Sequence, residues 1–128
     1  MKGDQFIAEV KNLAELSDNE EAQKATQATL ETLRERLAGN EPSNLAAQLP
    51  SELASYVEGA GGRESFSVRE FYSRVAQKEG VDQDEAAKHA RAVATVLQTA
   101  VTGGEFDDVR SQLGNEYKEL FGQPGASA

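Results

Sequence analysis

Residues 44–53 read NLAAQLPSEL, and residues 109–121 read VRSQLGNEYKELF. In each stretch a Gln-Leu pair ends an apolar helical pattern and a helix breaker follows, Pro50 in the first stretch and Gly114 in the second. A proline ring clashes with the preceding helical turn, and glycine ends helices because it adopts left-handed backbone conformations easily. Both stretches therefore predict the same bend between a third and a fourth helix, once in each half of the chain.

The similarity between the halves extends outward from these stretches at an offset of 64 residues, the separation of Gln48 and Gln112. The matched pairs at that offset are Leu33 with Leu97, Leu37 with Val101, Glu41 with Glu105, Leu45 with Val109, and Leu53 with Tyr117; Phe6 with Phe71 and Val10 with Val75 follow at an offset of 65. Such self-similarity indicates internal duplication of a four-helix unit. We therefore predict an all-α protein of about eight helices, arranged as two tandem four-helix repeats packed into one compact domain.

Helix signals in the first half begin close to the N-terminus. A first helix, from about residue 4 to residue 16, is expected to bury three apolar residues at helical spacing, Phe6, Val10 and Leu13. Ser17 and Glu20 form the S-x-x-E pattern of a capping box, which predicts the start of the second helix. Gly39 is expected to end that helix in a left-handed conformation.

The same signals recur in the second half. Two further capping boxes predict the starts of the fifth and sixth helices, Ser67 with Glu70 and Asp82 with Glu85. Gly80 is expected to end the fifth helix, and Gly103 with Gly104 to end the sixth.

These signals divide the chain into four segments. Residues 1–58 are predicted to form the first helical repeat, residues 59–65 a linker, residues 66–121 the second helical repeat, and residues 122–128 a disordered tail. The linker reads GAGGRES, a composition typical of a flexible joint. It lacks the lysine of a P-loop and does not complete G-x-G-x-x-G, so no phosphate site is expected there.

The charge and composition of the chain exclude several classes of function. Among the 128 residues, 22 are acidic and 13 are basic, which gives a net charge of −9 that repels phosphates. We therefore expect neither nucleic acid nor an anionic membrane as a partner. No stretch approaches the roughly 18 apolar residues of a spanning helix. There is no cysteine, which excludes disulfides, thiolate nucleophiles and the usual structural zinc sites, and which fits the cytoplasm.

The ordered set of patterns in this chain has a known counterpart. The first half contains F-x(3)-V, A-x(7)-L-x(2)-L-x(3)-L-x-G-x-E and LAxQLP, and the second contains EFYSRVA, RAVATVL and VRSQL. The set, carried by residues 33–50 and 71–113, resembles the bacterial domain of unknown function family 2267. The resemblance implies a small soluble helical protein of bacterial type. Because the family implies no known activity, no functional residues can be assigned from it.

His89 is the only histidine, so its count excludes multi-histidine metal sites and paired histidine chemistry. Its spacing of four residues from Glu85 predicts a contact on the surface of a helix. Asp82-Gln83-Asp84 resembles the opening of a calcium loop, but position six would be Ala87 and position twelve Val93. We interpret these acids as a helix cap.

Two pairs of carboxylates are candidates for acid–base work if they are buried close together: Glu31 with Glu35, and Asp107 with Asp108. Both pairs lie on segments whose other residues form the apolar face, so a solvated surface is the preferred interpretation.

A small basic group, Arg69, Arg74 and Lys78, lies near Tyr72, which could stack a nucleic-acid base. Without a wider positive field we do not expect it to do so.

Gln48 and Gln112 are the most informative polar recurrence, because each precedes the leucine at a helix break. The preferred interpretation is that each amide satisfies carbonyl groups freed by its own break. The alternative is a paired recognition site.

The sequence predicts no catalytic, cofactor-binding or metal-binding residues and no cofactor, so we do not expect an enzyme. The leading hypothesis is a non-enzymatic module of bacterial type that binds a protein partner. The first alternative is a small-molecule-binding protein or a carboxylate-based enzyme with a pocket between the two repeats. The second alternative is self-association into a homo-oligomer with a structural or stress-related role. A deep polar pocket would favour the first alternative, and a broad exposed apolar patch the other two hypotheses.

Overall fold

The computed structural model describes residues 1–59 and 61–121, and within those residues it contains helices and no β-strand. The α-helices are α1 (Gly3–Ala14), α2 (Asn19–Arg36), α3 (Glu41–Ala46), α4 (Ser51–Val57), α5 (Val68–Glu79), α6 (Gln83–Ala100) and α7 (Gly103–Leu113), and a 3₁₀ helix, Asn115–Phe121, follows. The prediction of an all-α fold with about eight helices is confirmed. In the part of the chain described, no helix combines the length and the apolar character needed to cross a membrane. The predicted tail at 122–128 lies outside the described residues.

Polar side chains start the helices of the second half where the sequence predicts them. The side chains of Ser67 and Asp82 accept hydrogen bonds from the backbone N–H groups of Glu70 and Glu85. These bonds satisfy donors that a helix start leaves unpaired, so both predicted helix starts are confirmed.

The start of α2 differs from the prediction by one residue. Asp18, and not Ser17, is the N-cap residue, and its carboxylate accepts from the Glu21 N–H at 2.9 Å. The Glu21 carboxylate in turn accepts from the Ser17 N–H. The predicted box of Ser17 with Glu20 is therefore wrong, because Asp18 and Glu21 have the same three-residue spacing and form the local bonds instead.

The predicted helix ends are only partly correct. Gly80 ends α5 in the left-handed conformation, with a φ of 75°. Gly39 also has a positive φ, but α2 already ends at Arg36, and Gly39 lies in the turn before α3. Gly103 and Gly104 do not end α6, which stops at Ala100; they form the first turn of α7, because the Thr102 side chain caps α7 at Glu105.

One apolar residue of α1 was assigned to the wrong face. Phe6, Val10 and Ala14 are buried at intervals of four residues, whereas Leu13 is 52% exposed. The buried stripe follows the four-residue spacing, so Leu13, one residue before Ala14, points away from it. The helix also ends at Ala14 rather than near residue 16.

A single hydrophobic core cluster contains residues from both halves of the chain. The two 18-residue helices, α2 and α6, contact each other, and Leu33 and Leu97 are buried within them. Two further contacts between the halves are reciprocal, since α1 packs against α6 and α5 packs against α2. Helices α3 and α7 also meet, and this contact brings together the starts of the third helix of each half.

The segment between the halves is bonded to the end of α2. The Gly62 N–H donates to the Arg34 carbonyl at 2.9 Å, and the Glu64 N–H donates to the Glu35 carbonyl at 3.2 Å. A Cβ atom on Gly61 would overlap the Leu37 carbonyl oxygen, so glycine is needed for this close approach. The interpretation of residues 59–65 as a flexible joint missed these bonds, because a glycine-rich composition does not distinguish close packing from free movement.

Candidate functional site at the junction of α3 and α7

Gln48 and Gln112 each make a hydrogen bond to the opposite half of the chain. The Gln48 Oε1 atom accepts from the Thr102 N–H at 2.7 Å, and the Gln112 Oε1 atom accepts from the Ala38 N–H at 2.8 Å. The acceptors and the donors are both 64 positions apart, so the two bonds are equivalent in the alignment of the halves. Among the described residues, these side chains bond through their oxygens to the opposite half, and not through their N–H groups to carbonyls at their own breaks, so the preferred interpretation is wrong.

These two bonds fix the segments that begin α3 and α7. Glu41 is the first residue of α3, and Glu105 lies in the first turn of α7. The glutamines bond the N–H groups of Ala38 and Thr102. Glu41 lies three residues after Ala38, and Glu105 lies three residues after Thr102. The contact between α3 and α7 then buries both glutamates, which are 7% and 8% exposed.

The two carboxylates lie in an environment that disfavours their charge. The Oε2 atoms of Glu41 and Glu105 are buried and have no hydrogen-bond partner in the described part of the chain. The pKa of the Glu105 carboxyl is raised to about 8, first by burial, then by a hydrogen bond with the Glu41 carboxyl and by the charges of Glu41 and Asp108. Because two like charges in a buried site repel each other, the pair favours a shared proton or a positively charged ligand.

Asp108, one turn further along α7, adds a third carboxylate. One carboxylate oxygen from each of Glu41, Glu105 and Asp108 lies within 4.8 Å of the other two. Asp108 is exposed, so the group is buried at one end and open to solvent at the other. None of the ion pairs found in residues 1–59 and 61–121 includes any of these three carboxylates. We refer to the three residues as the carboxylate cluster.

A cavity of about 610 Å³ lies beside Glu41, on the α3 side of the cluster. Its lining includes Glu41, Asn44, Arg63 and Gln112. Asn44 precedes Asp108 by 64 residues, so the first half has an amide where the second half has a carboxylate. Of the three residues of the carboxylate cluster, Glu41 lines this cavity.

The two predicted carboxylate pairs do not form sites of their own. Asp107 and Asp108 are separated, since Asp108 joins the cluster whereas Asp107 lies 3.8 Å from Arg110 on the exposed side of α7. Glu35 bonds Arg74 and Lys78 and not Glu31. Burial opposes the ionisation of Glu35, but the hydrogen bonds from Lys78 and Arg74 outweigh it and lower its pKa.

Two of the three basic residues of α5, Arg74 and Lys78, are paired with carboxylates. The Arg74 guanidinium pairs with Glu35, Glu64 and Glu70, and it lies 3.9 Å from the centre of the Phe66 ring. Tyr72 is buried, and its hydroxyl donates to Glu119 at 3.0 Å. This geometry connects α5 to its neighbours and does not present an open stacking surface at Tyr72.

His89 differs most from its predicted position. Its side chain is buried, and its Nδ1 atom lies 2.7 Å from the Oε1 atom of Glu79, which is also buried. Its Nε2 atom lies 3.1 Å from the exposed carboxylate of Glu85. The hydrogen bond with Glu79 raises the pKa of His89, although burial opposes the charge. The predicted contact with Glu85 is therefore present, but His89 makes it from a buried position, with its other ring nitrogen against the buried Glu79. A separate cavity of about 270 Å³ lies beside these residues.

Glu41 and Glu105 were not among the residues that the sequence singled out. The available signal was their match at an offset of 64, because a charged residue repeated among apolar matches is unusual. Glu79 had no such signal, since it lies directly before the glycine that ends α5 and looks like an ordinary residue of a last turn.

Comparison with known proteins gives a family and no function. Residues 3–120 match the family model described as an uncharacterized conserved protein, DUF2267. No curated protein matches the chain.

Proposed function

Since the chain belongs to the DUF2267 family, whose description assigns no activity, we propose from the geometry alone that it is a non-enzymatic binding protein with its ligand site at the carboxylate cluster. One observation carries the proposal. The Oε2 atoms of Glu41 and Glu105 are buried without hydrogen-bond partners among the described residues, and the two carboxyl groups lie within 4.8 Å of each other. Carboxylates in such surroundings are costly to keep ionised, and a positively charged ligand offsets that cost.

The position of the cluster supports a role for the contact between the two halves. Each half supplies one buried glutamate, and each half also supplies the glutamine that bonds the start of the other half's third helix. We interpret this reciprocity as the result of two tandem repeats facing each other. A ligand held by both glutamates would then bind the two repeats together.

Binding is a better supported role than catalysis. The cavity beside the cluster presents carboxylate, amide and guanidinium groups, whereas the acid–base pair of His89 and Glu79 lines a different cavity. A carboxylate-based enzyme is the second candidate, since the pKa of Glu105 at about 8 would let its carboxyl donate a proton near neutral pH.

The surface gives less support to the hypothesis of a protein partner. In the described part of the chain, the exposed large apolar side chains are Met1 and Leu13, both on the N-terminal segment. Two side chains do not make the apolar patch that a stable protein interface usually needs. A bacterial and cytoplasmic setting remains part of the proposal, supported by the resemblance and by the lack of cysteine.

A panel of ligands tests the proposed function. Thermal unfolding of the full chain is measured with divalent cations, with organic polyamines and with anionic metabolites, for the wild type and for Glu41→Gln and Glu105→Gln. We expect at least one cationic compound to stabilise the wild type and to lose that effect in both variants, while the anions have no effect. The proposal is wrong if no cationic compound stabilises the wild type, or if the variants respond as the wild type does.

A further inference from the structure

We propose that the ligand of the carboxylate cluster is a partly hydrated divalent metal ion, with Ca²⁺ the best fit, bound by one carboxylate oxygen each from Glu41, Glu105 and Asp108. This inference rests on the proposed function and names the class of ligand. It assigns three residues from two helices to one coordination sphere.

The spacing of the three oxygens fits a calcium ion. The oxygens all lie within 4.8 Å of one another. Ligands on opposite sides of Ca²⁺, at 2.3–2.6 Å from the ion, are at most about 4.6–5.2 Å apart, whereas around Mg²⁺ the limit is about 4.2 Å. A separation of no more than 4.8 Å is compatible with one divalent ion, and the longer bonds of Ca²⁺ tolerate a wider range of separations than those of Mg²⁺.

A second observation is independent of the clustering of acids. The buried Oε2 atoms of Glu41 and Glu105 have no hydrogen-bond partner among the described residues, and both side chains are more than nine-tenths buried. Ordinary acidic clusters lie on the surface, where water satisfies each oxygen. A metal ion at this position would accept electron density from the oxygens that the protein leaves unsatisfied.

The open side of the cluster can supply the remaining ligands. Ca²⁺ takes six to eight oxygen atoms, and three carboxylates leave room for water molecules. Asp108 is exposed, so water reaches the site from its side. Asn44, which lines the cavity beside Glu41, also provides an amide oxygen, a type of ligand that calcium accepts.

The proposed site is distinct from the calcium-loop pattern in the sequence. The Asp82 side chain caps α6 through the Glu85 N–H at 2.8 Å. The acids of that segment therefore keep their role as a helix cap. The metal site is formed by α3 and α7, whose acidic residues are distant in sequence.

Calorimetric titration of the full chain, after treatment with a chelator, tests the inference. CaCl₂, MgCl₂ and spermidine are titrated separately into the wild type, Asp108→Asn and Asp107→Asn. The last variant is the matched control, because it removes the same charge from the neighbouring exposed residue, which is outside the cluster. We expect one calcium ion per chain with a dissociation constant of about 10⁻⁶–10⁻³ M, and weaker binding of Mg²⁺.

The two aspartate variants separate a specific site from general charge attraction. We expect Asp108→Asn to weaken calcium binding at least about tenfold, and Asp107→Asn to change it less than about twofold, because affinity follows the charge of the ligands themselves. Equal weakening in both variants would overturn the inference. Circular dichroism of each variant verifies that the fold is intact, and Glu105→Gln provides a second variant at a buried ligand.

Different titration results would show that the metal assignment is wrong and that the proposed function is wrong. If spermidine binds in a Glu105-dependent way and no metal ion does, the junction remains a ligand site and the metal assignment is wrong. If neither the metal ions nor spermidine bind to the wild type, the metal assignment is overturned and the proposed function loses its main candidates.

Discussion

The side chains of Gln48 and Gln112 make equivalent hydrogen bonds between the two halves, each to a backbone N–H group of the opposite half. Each Oε1 atom accepts from a backbone N–H that lies three residues before the buried glutamate of the other half. The Gln48 bond therefore orients Glu105, and the Gln112 bond orients Glu41. The two glutamines act as positioning residues for the carboxylate cluster, and they are not themselves ligands in the proposed site.

Replacing either glutamine should lower the stability of the protein. Gln48→Ala and Gln112→Ala each remove one hydrogen bond and should lower the free energy of unfolding by about 1 kcal/mol. Gln98→Ala, at an exposed position of α6, is the control and should have little effect. Urea denaturation measures the three variants. Loss of stability in only one of the two glutamine variants would contradict the equivalence of the bonds.

Leu33 and Leu97, which occupy equivalent positions in α2 and α6, should be equally important for stability. Leu33 and Leu97 are 1% and 0% exposed, so Leu33→Ala and Leu97→Ala should each cost about 2–5 kcal/mol through the cavity that remains. Leu13→Ala makes the same chemical change at a residue that is 52% exposed, and it should cost far less. Denaturant midpoints at a constant m-value would show the difference. A stable Leu97→Ala would mean that α6 presents a different face to the core.

The effect of Glu105→Gln on stability, relative to the wild type, should depend on whether metal is present. In the presence of a chelator and above pH 8, the variant should be more stable by about 1–3 kcal/mol, because the wild-type carboxyl is then ionised beside Glu41, whereas the amide is neutral and can donate an N–H to Glu41. With calcium, the wild type should gain stability and the variant should not. Melting temperatures in both buffers measure the two effects, and Glu9→Gln on the exposed face of α1 is the control. A variant that is less stable in the chelator would show that Glu41 and Glu105 do not repel each other.

The His89–Glu79 pair should make stability depend on pH. The folded protein raises the pKa of His89 above its ordinary value of 6.5, so the protonated imidazole favours the folded state. This contribution is fully present below pH 6.5 and is lost as the pH rises through the folded pKa. Besides Glu79 and Glu85, the charged groups beside His89 are Glu21 and Lys24 of α2, which line the same cavity.

His89→Gln tests this dependence. The variant should lack the histidine contribution to the pH dependence of stability. Its free energy of unfolding should be lower by about 3–5 kcal/mol, since Glu79 remains buried without a charged partner. The profiles are compared in a Glu105→Gln background, because the Glu105 carboxyl, with a pKa of about 8, titrates in the same direction over an overlapping range. Glu85→Gln, which alters the exposed end of the pair, should cost much less. Identical pH profiles with and without His89 would contradict the ion pair.

Features that depend on neighbouring residues could be predicted from the sequence. The caps at Ser67 and Asp82 need only a polar side chain and a backbone N–H three residues away, so their patterns were sufficient. The break at Gly114 was equally local. Where two local patterns competed, as at Ser17 and Asp18, the sequence could not rank them.

Features that depend on packing between helices were missed. The buried pair of Glu41 and Glu105 forms only because α3 and α7 meet, and no pattern within either helix indicates that contact. His89 looked exposed because its neighbour on the same helix, Glu85, is exposed; its burial depends on Glu79 of α5. An offset between halves identifies equivalent residues, but it does not say which of them touch.

The segment that follows residue 60 affects whether the two halves of the chain can fold as separate fragments. Its N–H groups at Gly62 and Glu64 supply hydrogen bonds to carbonyl groups that the last turn of α2 leaves without helical partners. The connecting segment thus caps the C-terminal end of α2 in the first half, although it leads directly into the second half. Fragments 1–58 and 61–128 produced separately should each be poorly folded and should recover helical circular dichroism when mixed, whereas two fragments that fold fully alone would contradict this. Evolutionary or engineered separation of the halves would therefore have to create a new end for α2.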